Sequence, residues 1–158
     1  MAQLQALNLP KAPLKLSSKA GRIYIHCLLR KKPVVLTPEE WVRQHLIAYL
    51  HHDLGYAIEK IAIEKQIQYD GFTRRWDLVV FDSNFKAHIL IECKAPQIHI
   101  SNEVFIQVAT YQSQIQAPYF ILSNGLVHLI YKVNFEQKNL ELLSEFPINA
   151  PLTNSEQN

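Results

Sequence analysis

The stretch HILIECKAP, residues 88–96, runs from a buried-strand pattern straight into Glu92, Cys93 and Lys94. Side chains alternate faces along a strand, so Glu92 and Lys94 share one face and Cys93 takes the other. Charge at the end of a core strand is costly unless something completes it. A second acid is at hand in WDLVVFD, residues 76–82, where Asp77 lies near the start of a strand. If the two strands pair as a hairpin about SNFK, centred between Asn84 and Phe85, Asp77 comes opposite Glu92. Two carboxylates at close range repel, and a hard divalent cation with oxygen ligands is the usual resolution. The backbone carbonyl of Cys93, between Glu92 and Lys94, offers a third oxygen. Lys94 is then placed to orient a water or to stabilise charge developing on a phosphate. The competing reading of the trio is a salt bridge at a sheet edge.

These residues need elements to hold them. In LTPEEWVRQHLIAYLHHDLGY, Thr37 is a cap, Pro38 suits the first helical position, and Glu39 and Glu40 fill the first turn. Val42, Leu46, Tyr49 and Leu50 form an apolar stripe at helical spacing, and Gly55 ends the element. RIYIHCLL (22–29) reads as a strand, as does the alternating IEKIAIEKQIQY (58–69), followed by Asp70-Gly71 as a turn. After AHILIECK (87–94), EVFIQVATYQSQIQ (103–116) reads as a helix capped by Ser101 or Asn102. PYFILS (118–123) and LVHLIYKV (126–133) flank Asn124-Gly125, a strong hairpin signal. The order predicts an α/β domain with a mixed central β-sheet flanked by helices. The helix between strands allows a crossover to a parallel neighbour. Residues 1–20, with two prolines and scattered lysines, read as a flexible or surface-hugging arm. Residues 21–146 make the single domain, and 147–158 a polar tail.

The chain has 158 residues, 48% hydrophobic and 19% charged, enough for one domain with a real core. A net charge of +2 neither identifies nor excludes a nucleic-acid binder. The two cysteines, Cys27 and Cys93, suggest no disulfide framework and fit a reduced, cytoplasmic setting. No apolar run approaches the roughly 18 residues of a membrane span, and the N-terminus lacks the apolar core of a signal peptide.

The pattern Asp77 … Glu92-Cys93-Lys94 is similar to the PD-(D/E)xK nuclease core. TPEEWVRQHLIAYL, RRWDLVVFD, LIECKAP and QVATYQ…YFILSNG, in that order over about residues 33 to 133, resemble more closely the N-terminal nuclease domain of type I restriction enzyme R subunits. The resemblance implies a restriction-endonuclease-like fold and Mg²⁺-dependent hydrolysis of DNA phosphodiesters, with Mn²⁺ able to substitute. Asp77 and Glu92 would bind the metal, with the Cys93 carbonyl, and Lys94 would be the catalytic lysine. Glu40 would match the family's additional helix acid and serve as a further metal ligand. Gln107 and Tyr111, one turn apart, match its QxxxY feature. The first motif is Trp-Asp where the family has Pro-Asp, which changes no ligand. The four glycines, at 21, 55, 71 and 125, form no GxxxxGK[ST] loop, so no motor is encoded here. A stand-alone relative, or one working with a separate motor or specificity subunit, is implied.

Structural alternatives stand beside these roles. Glu40 with Thr37 makes a T-x-x-E capping box, and Glu39 is the fallback acid. Gln107 and Tyr111 suit a polar helix edge equally. His45, His51 and His52 read as structural or solvent-facing, since no HExxH occurs and a helix C-terminus favours positive charge. Arg74 and Arg75, with Arg30, Lys31 and Lys32, are candidates for DNA phosphates, Arg75 first because it neighbours Asp77. Cys93 reads as a core residue. The rival to a nuclease is a catalytically silent nucleic-acid-binding or regulatory module of a restriction-like complex.

Overall fold

The computed structural model describes residues 4–69, 71–103 and 117–149. The chain begins with three short strands, β1 (Leu16–Lys19), β2 (Arg22–Cys27) and β3 (Lys32–Val35), which pair antiparallel in the order β1-β2-β3. Helix α1 (Pro38–Ala48) follows, opened by Thr37, whose side chain accepts from the Glu40 N–H at 3.0 Å. A wider π-type turn, Tyr49–Asp53, extends it, and Gly55 ends the run with φ +81°. The main sheet has six strands in chain order: β4 (Ile61–Tyr69), β5 (Phe72–Phe81), β6 (Ala87–Cys93), β7 (Tyr119–Ser123), β8 (His128–Asn134) and β9 (Asn139–Leu143). It is mixed: β6 and β7 run parallel across the 94–118 crossover, and every other neighbour is antiparallel. No helix among the described residues is long and apolar enough to cross a membrane.

Burial on each face follows the strand alternation. Val42 and Leu46 of α1, with Leu50 of the turn that extends it, pack against Val80, Ile89, Ile91 and Ile121 in one cluster. Val79, Leu90, Phe120 and Leu122 form a second with Trp76. The helix buries more than its apolar stripe, since Glu40, Arg43, Gln44 and His45 are buried too. Gln44 explains part of this. Its amide oxygen accepts from the Leu28 N–H at 3.1 Å and its amide nitrogen donates to Glu40 at 2.8 Å, tying the small sheet to the helix. His45 bonds the Trp41 carbonyl oxygen at 2.8 Å and packs edge-on against the Trp41 ring.

Parts of the lead-in, and residues 147 and 149 near the other end, are attached to the domain. Leu16–Lys19 is a strand on β2, and Leu7 and Leu9 pack on the first cluster. Asn8 donates to the Gly125 carbonyl at 2.7 Å, which fastens the lead-in to the β7–β8 turn. At the other end the Tyr56 hydroxyl donates to the Pro147 carbonyl at 2.7 Å, and Asn149 N donates to Leu54 O at 3.0 Å. Prolines and polar residues concealed these attachments because backbone groups make most of them. The second helix expected over 103–116, with Gln107 and Tyr111, lies almost wholly outside the described residues.

Candidate active site

The β5–β6 pairing shifts between Val80–Ile89 and Phe81–Ala87, and beyond that irregularity it has the register expected for the site. Leu78 pairs with Ile91 and Val79 with Leu90, so the next pair places Asp77 opposite Glu92. There the ladder gives way to side-chain bonding. One Asp77 carboxylate oxygen accepts from the Cys93 backbone N–H at 2.8 Å. Glu92 lies within hydrogen-bonding range of Asp77, and the two carboxyls interact strongly. Burial first, and then the negative charge of Asp77, push the Glu92 carboxyl up to about 7. Lys94 is half-buried, its N–H fixed on the Ser123 carbonyl at 2.8 Å, and its ammonium partly offsets the rise at Glu92. The Cys93 thiol is buried in the first cluster, and burial raises it far from thiolate chemistry.

A break in alternation underlies this arrangement. Ile63 packs in the first cluster and Ile67 against the second, although residues two and four apart should share a face. Trp76 and Leu78 divide in the same way on β5. Between them the ladder skips the Glu64–Asp77 position, flanked by Ile63–Leu78 and Lys65–Trp76, and Glu64 has φ +52°. A left-handed glutamate costs on the order of 1–3 kcal/mol and persists where its surroundings impose it. Here three arginines surround its carboxylate. Arg75 reaches Glu64 at 2.7 Å, Arg43 at 3.5 Å, and Arg30 makes a short ion pair from the β2–β3 turn. Burial would raise the Glu64 carboxyl, but these cations outweigh it and hold it below the ordinary range.

Arg43 joins the helix to the acids. Its guanidinium lies 3.4 Å from Asp77, 3.4 Å from Glu40, 3.5 Å from Glu39 and 3.5 Å from Glu64. The Glu40 carboxylate is therefore engaged by Arg43 and Gln44, while Thr37 caps through its own hydroxyl. Arg74 stacks over the Trp76 ring at 4.4 Å and comes within 3.8 Å of Glu92. Arg75 is the more exposed of the two. The structure thus brings together Asp77, Glu92, Lys94 and Arg74, and links Glu40 to Asp77 through Arg43. Arg43 and Glu64 escaped the sequence reading. The E-x-x-R spacing of Glu40 and Arg43 was a legible signal, whereas Glu64 sat inside an ordinary alternating strand.

Among the described residues no three acidic, histidine or cysteine side chains group as a metal cluster. The donors present are the Asp77–Glu92 pair and the backbone beside it. That set fits a hard divalent ion: both side chains offer oxygen, and a cation would relieve the repulsion that, after burial, raises Glu92.

A six-stranded mixed sheet with α1 packed on one face is an α/β fold, and an acid pair and a lysine lie at the end of its β5–β6 hairpin. Residues 38–147 match the family described as the type I restriction enzyme R protein N terminus, HSDR_N, and the chain belongs to that family. Among solved structures, a fragment assigned as an HsdR subunit of a type I restriction enzyme from Vibrio vulnificus YJ016 is similar at 18% identity and a TM-score of 0.49. The match covers 72% of this chain and 24% of that one, so the chain spans about a quarter of that structure's length. No curated protein matches the chain.

Proposed function

We propose that this domain is a Mg²⁺-dependent DNA endonuclease. The observation that carries the reading is the convergence of Asp77 and Glu92 beside Lys94 at the end of the β5–β6 hairpin. Asp77, Glu92 and the Cys93 carbonyl would hold the ion, with Mn²⁺ as a substitute and Glu40 as a further acid. When bound, the ion supplies positive charge against the phosphoryl oxygens. The chain's own groups do the rest. Lys94 orients the attacking water or holds charge on a non-bridging oxygen, while the bond to the leaving oxygen breaks in line. Arg74 and Arg75 position the backbone phosphates. Gln107 and Tyr111 keep the roles that the family resemblance assigns them beside the site. Membership of an R-subunit family adds a separate motor or specificity subunit as the partner class, with action in the cytoplasm.

The test is plasmid cleavage with and without Mg²⁺, comparing wild type with Lys94→Ala. Removing one stabiliser of transition-state charge costs on the order of 10²–10³ in rate. DNA binding and melting temperature should hold. Equal cleavage by both proteins would reject the mechanism. Failure of both proteins to cleave, with DNA still bound, would favour the silent binding module.

A further inference from the structure

We propose that Arg43 is the internal counter-cation of the acid cluster and sets how tightly Asp77 takes up a divalent ion. The inference rests on the metal reading above and concerns a positioning residue, not a catalytic one. Arg43 is buried, and its guanidinium is shared among Asp77, Glu40, Glu39 and Glu64 at 3.4–3.5 Å. None of these contacts reaches the roughly 2.7–2.9 Å of a tight charge-assisted hydrogen bond. Among the described residues Nε has no partner at all. The group is held by the summed field of four carboxylates and is not locked in one fork, so it can shift among them. Burial opposes its charge, and the surrounding acids together, Glu40 and Asp77 foremost, more than offset that cost.

A divalent ion on Asp77 places a second cation against the carboxylate that Arg43 already touches. The two repel, so each weakens the other's hold on Asp77, and such coupling is reciprocal. Glu40, Glu39 and Glu64 give the guanidinium somewhere to go when the ion arrives. Without the ion, Arg43 keeps the acids from driving the helix and hairpin apart.

The experiment uses the intact chain with MgCl₂ or MnCl₂ alone, by calorimetry and thermal melting, so no cleavage is read. Arg43→Gln should bind the ion on the order of tenfold more tightly. It should melt lower without the ion and gain more from adding it. Arg43→Lys, which keeps the charge, should stay within a few-fold of wild type. Unchanged or weaker binding by Arg43→Gln, with wild type binding normally, overturns this proposal and leaves the metal reading intact. A wild type that binds neither ion defeats both. If Arg43→Gln does not fold, the double variant with Glu64→Gln is compared with Glu64→Gln alone. Tighter binding by the double variant supports the proposal, and equal or weaker binding overturns it.

Discussion

At the scale of single residues, the Asp77–Glu92 pair couples protons to both stability and metal uptake. Glu92 is raised to about 7 by burial and by Asp77, against an ordinary value of 4.5. The folded protein therefore binds a proton that the unfolded chain releases between those two values. The sign follows: this contribution is fully present below the unfolded value and is lost as pH rises through about 7. The loss is on the order of 1–3 kcal/mol. In metal-free buffer, wild type should lose stability between pH 5 and 8, and Glu92→Gln should flatten that slope. Mg²⁺ needs the ionised carboxylate, so its stabilising effect should grow over the same interval. Urea titrations at pH 5, 6.5 and 8, with and without Mg²⁺, measure both trends. A parallel pH profile for wild type and Glu92→Gln would remove Glu92 as the source.

Helix α1 carries a cap and an acid three residues apart, and its geometry separates their duties. Thr37 caps with its own hydroxyl, while the Glu40 carboxylate faces Arg43 and Gln44. Thr37→Ala should cost about 1 kcal/mol of stability, with cleavage at the wild-type rate once folded. Glu40→Gln keeps a group able to bond Gln44 but deletes charge beside Arg43, so it should depress cleavage more than Thr37→Ala. Paired denaturation curves and cleavage rates decide the matter. Should both variants show the same pattern, Glu40 serves only the helix. The β4–β5 pair bears on the site differently. Its faces exchange at Glu64 and Asp77, which turns Asp77 from the ladder toward Cys93 and Arg43. Alternation alone would have kept Ile63 and Ile67 together, and only competition among packed neighbours separates them.

For the whole molecule, the lead-in segment closes one end of the first core cluster. A Cβ on Gly125 would meet Leu7 at 2.8 Å and Val42 at 3.1 Å, and the residue has φ +82°. Gly125→Ala therefore strains the turn and the seat of the lead-in together. It should cost about 1–3 kcal/mol, read as a lower urea midpoint with an unchanged slope. A neutral outcome would mean that Leu7 is only loosely seated. The sequence by itself determined the periodic parts: the α1 stripe, the pairing of Asp77 with Glu92, room for a parallel crossover, and the motif that marks Asp77, Glu92 and Lys94. Periodicity and turn chemistry are local, and the β5–β6 pairing beyond its Val80–Phe81 irregularity is the one counted from the sequence. What only the tertiary structure decided is long-range: the three-stranded sheet, the seating of residues 7–9 and 146–149, the face exchange at Glu64, and the reach of Arg43 to Asp77 and Glu64. Those features depend on which charges and surfaces meet across the fold, and neighbouring residues in the chain do not encode that.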